Sequence, residues 1–288
     1  EPLIGEDVEL KGSPVKKEKV NEALGTTEWT LKNGIKVIFK QTPYEADRVS
    51  LSAESYGGSA LFDNDMFYSA SMLPSVMSMS GISKFSASDL NKQLSGKVAS
   101  AGTYVQSYSH GVSGSSSVKD VEAMLQLVYL QFTAPRFNED DFATLMNRYN
   151  TMLANQLTNP DFLFQQKLVK TVYGDNFRRQ QITPELLETV KLEQMPEVHK
   201  RLYSNAVDFS FRIIGNIDAA TLKPLVEKYI GSLPAAKKPT NKFTDDGVRI
   251  AEGEIDEQIT VKMEQPKVSV GYCYTGDADY TIKNIMTM

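Results

Sequence analysis

Residues 28–40 alternate apolar and polar side chains on both sides of an Asn33-Gly34 pair. Such alternation over a short stretch is the period of a half-buried β-strand. Asn-Gly is a preferred pair for the two-residue turn of a β-hairpin, because both residues tolerate positive φ. The folded part of the chain is therefore predicted to open with two antiparallel strands, which commits the fold to a sheet.

Beyond the hairpin, the pattern changes repeatedly between the period of a strand and that of a helix. Further strands are predicted at 49–55, 98–105, 107–116 and 209–215. Helices are predicted at 66–79, 88–94, 118–132, 138–157 and 161–173, over much of 183–203, and from a cap at Asp218 to 230. Strand pairs, then helices, then a strand and a helix predict an α+β fold in which an antiparallel sheet is packed with helices.

Changes in composition divide the chain into four parts. Residues 1–28 are polar with no sustained period and are predicted to be a linker, whereas 29–234 form one complete unit. A connector rich in Lys, Pro and Asp follows at 235–256. Residues 258–264 and 267–274 alternate again as two strands, so 257–288 are predicted to be the truncated start of a second, similar unit.

Composition excludes several classes of function. The net charge of −5 offers no basic face for nucleic acid. No apolar run approaches the roughly 18 residues of a membrane span. Cys273 is the one cysteine, so the chain can form neither an internal disulfide nor a CxxC metal site, and it is expected to face a core as a small hydrophobe.

Four segments, in order along about 205 residues, resemble the pitrilysin and insulinase family of zinc metallopeptidases, which includes the mitochondrial processing peptidases. They are L-K-N-G-I-K-V-I-F-K at 31–40, the Gly57-Gly58-Ser59 turn before the first helix, F-N-E-D-D-F at 137–142, and I-I-G-N-I-D with L-V-E-K-Y-I-G-S-L-P at 213–218 and 225–234. The resemblance implies the fold of the family's metallohydrolase unit.

Active units of this family bind zinc through an inverted motif, H-x-x-E-H, on the first helix, and a Glu about 77 residues further on completes the site. On this sequence the motif falls on Ser71, Pro74 and Ser75, and the distant Glu falls near Met152. Zinc needs imidazole, thiolate or carboxylate ligands, and its bound water needs a base. The resemblance therefore implies that these positions hold no catalytic residue and no metal ligand.

The two histidines offer no replacement site. His110 and His199 are far apart in sequence, and neither has a Glu or His three or four residues further on. His110 is expected at the surface or in a hydrogen bond within a serine-rich strand turn, and His199 is expected to be solvated on an amphipathic helix.

Three other polar clusters are more simply explained as structure than as chemistry. Glu139, Asp140 and Asp141 suit the positive end of a helix dipole. The serines of 113–117 lack the G-x-S-x-G elbow of a nucleophile. Arg178-Arg179 is expected to make a surface or interdomain contact, at a place where the family often has His-Pro-Leu-Gly.

The resemblance implies that this chain comes from the non-catalytic half of a peptidase. In the family, one half binds zinc and the degenerate half closes over the peptide substrate. The implied partners are the catalytic half, in the same polypeptide or a paired subunit, and peptides; the implied compartment is the periplasm or cell envelope. The alternative is a non-proteolytic scaffold or binding subunit of the same fold, since such subunits also lack H-x-x-E-H. An unrelated α+β binding module is a third interpretation.

Overall fold

A computed structural model describes residues 2–261, 267–273 and 281, and it divides the chain into two compact units. Unit 1 combines residues up to Arg148 with Glu185–Asp245, and unit 2 combines Tyr149–Pro184 with the described part of the chain from Asp246 onward. Among the described residues, no helix is both long enough and apolar enough to cross a lipid bilayer.

Unit 1 is built on a seven-stranded sheet with the order β1-β2-β3-β7-β4-β6-β5. Its strands are β1 Val15–Asn21, β2 Thr26–Leu31, β3 Lys36–Gln41, β4 Val49–Tyr56, β5 Ala99–Val105, β6 Ser109–Ser116 and β7 Ser210–Gly215. The hairpin predicted at Asn33-Gly34 is the β2–β3 pair, with Trp29 opposite Val37. The α+β class is confirmed, and the solved structures with a similar fold are described below.

The sheet is mixed rather than wholly antiparallel, because β7 runs parallel to β3 and antiparallel to β4. Phe211 lies opposite Val37 on one side and Ala53 on the other, so β7 is a central strand. Its inward-facing residues, Phe211 and Ile213, are fully buried. Parallel neighbours need a long crossover connection, which the helices between β3 and β7 provide.

The helices follow the predicted segments closely. They are α1 Asn64–Ser80, α2 Ala87–Gln93, α3 Val121–Thr133, α4 Glu139–Gln156, α5 Pro160–Tyr173, α6 Pro184–Leu187, α7 Met195–Tyr203 and α8 Ala219–Tyr229. Asp218 caps α8 as predicted, because its carboxylate accepts a hydrogen bond from the Thr221 amide. Short 3₁₀ turns flank several of them, including Gly58–Leu61 before α1 and Ala206–Asp208 after α7.

The linker predicted over residues 1–28 is wrong for 15–21, which form β1, and for 26–28, which begin β2. This edge strand pairs along β2, with Glu18 opposite Trp29. Six of its seven side chains are exposed, so it carries none of the apolar alternation that marks a strand. Its backbone hydrogen bonds to β2 order it instead, and lysines along an edge discourage pairing with other chains.

Unit 2 contains the end of α4, all of α5 and the chain from Asp246 onward. That chain runs along α5: the Ala251 amide donates to the Val172 carbonyl, and Glu257 pairs with Lys167 at 2.8 Å. Lys267 pairs with Asp161 near the start of the helix at 2.6 Å.

The two strands predicted at 258–264 and 267–274 lie only partly within the described residues. Positions 258–261 and 267–273 belong to no strand, and 262–266 and 274 lie outside the description. The start of a second unit at 257–288 therefore stays a prediction.

Candidate functional site

The three positions predicted to correspond to the family's zinc motif lie on one face of α1. Ser71, Pro74 and Ser75 are spaced i, i+3, i+4, so their side chains are neighbours on the helix surface, and all three are partly exposed. The Ser71 hydroxyl donates to the Phe67 carbonyl at 2.9 Å, one turn back. Pro74 lies inside the helix and has no amide hydrogen to donate. This face, called the α1 face below, offers hydroxyls but no imidazole or carboxylate.

The opposite side of α1 is fixed in place by packing and by hydrogen bonds. Asp63 caps the helix by accepting from the Met66 amide. Buried Ser69 donates to Gln194 at 2.5 Å and accepts from the Lys191 amide at 3.0 Å. Burial raises the pKa of Tyr68 on the same helix. These contacts hold α1 in place from its core side.

Strand β5 is the last strand on this side of the described sheet. The Ser117 amide donates to the Val98 carbonyl, and the Gln106 amide donates to the Ser109 carbonyl. Because every second residue of an antiparallel strand bonds to its neighbour, the even-numbered residues of β5 bond to β6. The backbone groups of Ala99, Ala101, Thr103 and Val105 therefore point away from β6. One of them is engaged, because Gln131 of α3 donates its side-chain amide to the Ala101 carbonyl at 3.1 Å.

Met152, near which the family's third zinc ligand was predicted to fall, lies on α4. Its side chain is 41% exposed, and its neighbour Leu153 is the residue that α4 buries. A thioether is a soft ligand that suits copper(I) better than the zinc of a peptidase.

His110 is buried, and both of its ring nitrogens are engaged. Its side chain is 0% exposed. Nδ1 accepts from the Gly58 amide at 3.2 Å, so Nε2 carries the proton and donates to the Leu202 carbonyl at 2.8 Å. Burial is the main cause that lowers the pKa of His110 to about 4, so the ring is neutral at pH 7. The hydrogen-bonded alternative is correct for this residue and the surface alternative is wrong, and neither nitrogen has a lone pair left for a metal.

His199 was predicted to be solvated, and this is wrong, because its side chain is only 5% exposed. Its Nε2 donates to the Gln131 carbonyl at 2.8 Å, and its ring stacks on Tyr203 at 5.1 Å. Burial lowers its pKa. Met195, Val198, His199 and Leu202 are spaced i, i+3, i+4, i+7, which puts His199 on the buried face of α7. That spacing is the sequence signal from which its burial could have been read.

Tyr203 joins the two histidines in one aromatic cluster. Its hydroxyl lies 3.1 Å from the carbonyls of both Tyr104 and Gly111, and its ring meets His110 edge-on at 5.6 Å. Burial raises its pKa strongly. The cluster therefore contributes to the core at one end of the sheet, with the Tyr203 hydroxyl and the Nε2 atoms of both histidines hydrogen-bonded to backbone carbonyls.

The remaining polar clusters lie apart from the α1 face in sequence. Asp141 is in the first turn of α4, where its amide donates to Asn138 and its carboxylate lies 3.5 Å from Arg136. Ser117 donates to Asp120 at 2.6 Å. Within unit 2, Arg179 lies 3.7 Å from Asp246, and Cys273 is exposed, contrary to the expectation that it faces a core.

Across the described residues, no group of three or more His, Cys, Asp or Glu side chains is arranged to hold a metal ion. The α1 face presents two hydroxyls and a proline, and the nearest acid along the helix is Asp65 in its first turn.

The sequence is similar to proteins that are named as zinc proteases. Residues 189–288 match the family model described as the peptidase M16 inactive domain. The chain is 25% identical over 236 residues to a probable zinc protease PqqL of Escherichia coli, covering 80% of this chain and 25% of that protein. It is 24% identical over 227 residues to a zinc protease PQQL-like of Arabidopsis thaliana, covering 78% of this chain and 21% of that protein.

The fold agrees with these sequence matches. The crystal structure of the periplasmic protease PqqL from Escherichia coli superposes with a TM-score of 0.71 at 21% identity, over 87% of this chain and 27% of that one. The chain thus spans about a quarter of the length of the curated relatives that it matches. The sequence is thus homologous to the PqqL zinc proteases, its residues 189–288 match the peptidase M16 inactive domain, and its fold is that of the solved protease PqqL.

Proposed function

We propose that this chain belongs to the non-catalytic half of a zinc-dependent metalloendopeptidase and helps to enclose peptide substrates, while the catalytic half binds the zinc. The observation that carries the proposal is the α1 face, where Ser71, Pro74 and Ser75, the residues that the resemblance aligns with H-x-x-E-H, offer no imidazole or carboxylate. The match of 189–288 to an inactive domain supports it.

The open face of the sheet suits a wall around a peptide. On β4, Val49, Leu51 and Ala53 are buried, whereas the residues between them point to the other face. That face carries small polar side chains on adjacent strands, including Ser50, Ser52, Ser113 and Ser115. Serine hydroxyls can both donate and accept, so such a surface can border water or a peptide of varied sequence.

The proposed partners are the catalytic half, in the same polypeptide or in a paired subunit, and peptide or protein substrates. The proposed compartment is the periplasm, which is supported by the compartment named for the Escherichia coli relative. Zinc would be held outside this chain.

Metal analysis of the purified chain tests the first part of the proposal. After dialysis against a metal-free buffer, we expect far less than one zinc per chain, because the α1 face offers no ligand. Tight binding of about one zinc per chain would contradict the proposal. The full-length protein serves as the positive control, and its zinc content should be unchanged by Ser71→Ala with Ser75→Ala.

Introducing the two histidines of the H-x-x-E-H motif tests whether they alone are enough to restore a zinc site. Ser71→His with Ser75→His should give no peptidase activity, because Pro74 provides no general base and Met152 supplies no third ligand. The readout is cleavage of a quenched fluorescent peptide, and cleavage abolished by a chelator would contradict the expectation. Ser78→His, at an exposed position of the same helix, is the matched control for unspecific zinc binding.

The full-length protein also separates a peptidase from a scaffold. Chelator-sensitive cleavage of peptides by the protein that contains this segment is the expected result. Intact folding without any cleavage would favour the non-proteolytic scaffold.

A further inference from the structure

Residues 234–243, which include the first nine residues of the connector predicted at 235–256, are attached to unit 1 at positions along their whole length. Side chains from 235 to 240 are exposed, which is why the sequence has the composition of a linker. The backbone of this segment is nevertheless held by the side chains of Asn205, which caps the 3₁₀ turn Ala206–Asp208, and of Asp208, the last residue of that turn. The segment is called the strap below.

Asn205 holds the first half of the strap. Its side chain is 8% exposed. Its carbonyl oxygen accepts from the Ala236 amide at 2.9 Å, and its amide group donates to the Lys238 carbonyl at 3.3 Å and to Asp208 at 3.1 Å. The Ala206 amide also donates to the Pro234 carbonyl at 2.7 Å.

Asp208 holds the middle of the strap. Its carboxylate accepts from the Thr240 hydroxyl at 2.9 Å and from the Asn241 amide at 3.0 Å. It also accepts from the Thr240 amide. A carboxylate that collects backbone amides makes charge-assisted hydrogen bonds, which are stronger than neutral ones.

The far end of the strap lies across the end of the sheet. Asn241 donates to the Ser55 hydroxyl of β4 at 3.1 Å and accepts from Arg201 of α7 at 2.8 Å. Phe243 contacts Tyr108, just before β6, with ring centroids 5.3 Å apart. Because Phe243 is still 58% exposed, apolar burial adds little, and polar bonds hold the strap.

We propose that residues 234–243 form a releasable strap, latched by Asn205 and Asp208, that fixes the point at which the chain leaves unit 1. Segments held by few apolar contacts open locally without global unfolding. An opened strap of ten residues could extend up to about 33 Å. When the strap is bound, the chain after Phe243 begins at the end of the sheet. When the strap is released, that part of the chain is joined to unit 1 by a long flexible tether.

Hydrogen exchange of the whole chain tests the strap at three amides. In the wild-type protein, the amides of Ala236, Thr240 and Asn241 should exchange slowly, although their neighbours in the strap are exposed. Asp208→Ala should speed exchange at Thr240 and Asn241 by about tenfold to a hundredfold, the usual range for a lost charged hydrogen bond. Exchange in the β4 and β7 amides should not change. Glu197→Gln, at an exposed acid of α7, is the matched control and should leave all of these rates unchanged.

Trypsin gives an independent readout, because cleavage after Lys237 and Lys242 needs an open strap. Asp208→Ala should speed both cleavages, and Asp208→Asn, which keeps one oxygen acceptor, should be intermediate. Fast exchange at the three amides in the wild-type protein would overturn the proposal. So would equal cleavage rates in the wild type and in both variants, or a loss of protection throughout the sheet in Asp208→Ala and Asp208→Asn.

Discussion

Helices α1 and α4 are nearly equal in length but differ in how much of each is buried. α1 buries nine of its 17 residues, including Leu73 and Val76, whereas α4 buries only Leu153 of its 18. Both carry positions that the resemblance assigns to the zinc ligands of active family members. This difference in burial indicates that packing in the core of unit 1 holds α1 in place. Substitutions on the outer face of α1 should therefore leave the fold intact.

The largest expected effect comes from shortening one side chain on each helix to alanine. Leu73→Ala should lower the free energy of unfolding by about 4 kcal/mol, because Leu73 is 0% exposed and its removal leaves a cavity. Met152→Ala on the exposed side of α4 should cost less than about 0.5 kcal/mol. Urea unfolding of both variants measures the contrast. Similar losses for the two variants would show that the difference in burial does not translate into stability.

Acid should weaken the end of the sheet that leads into α1. The pKa of His110 is about 4 in the folded protein against 6.5 when exposed, so the unfolded state binds the extra proton first as the pH falls. Stability should be pH-independent for this group above 6.5, fall by up to about 3 kcal/mol between 6.5 and 4, and then level off. The lowered pKa of His199 acts in the same direction.

Comparison with His110→Gln isolates this contribution from the carboxylates that titrate over the same range. The variant should be less stable at pH 7 but should show a shallower slope between pH 6.5 and 4. The protection factor of the Gly58 amide, taken relative to its intrinsic exchange rate at each pH, should fall with acid in the wild type, because protonation of Nδ1 removes its acceptor. An unchanged slope in the variant would refute the assignment.

The smallest expected effect is at the α1 face itself. Ser71→Ala removes a hydroxyl that bonds back to the Phe67 carbonyl, an interaction that slightly disfavours a helix. Stability should change by less than about 0.5 kcal/mol, in the direction of a gain. A loss above about 1 kcal/mol in urea unfolding would mean that this face is part of the packing after all.

The sequence predicts the elements of this fold well wherever a period or a cap is visible. The Asn33-Gly34 hairpin, the Asp218 cap and the long helices are local patterns, and the structure contains each of them. Strand β1 was missed because its order comes from backbone pairing with β2 rather than from burial of its own side chains. The parallel β3–β7 pair was missed because strand order is not encoded by either strand alone.

The residue environments at the candidate site were harder to predict than the elements. Burial of His199 is implied by its spacing on α7, but burial of His110 depends on Gly58 and Leu202, which are distant in sequence. The strap was mistaken for a loose connector because its exposed residues are polar, while Asn205 and Asp208, which hold it, precede it by about 30 residues. Side chain to backbone bonds of this kind leave no periodic signal in either segment.

The central position of β7 also means that the sheet cannot be completed until late in synthesis of the chain. Strands β1-β2-β3 and β4-β6-β5 are joined within the described sheet only through β7. A ribosome needs about 10–30 s to travel from β3 to β7 at about 5–20 residues per second. During that time each half-sheet has an unpaired inner edge that can recruit a strand from another nascent chain. Fragments that end before Ser210 should therefore aggregate during expression, and chaperone demand should fall once β7 has left the ribosome.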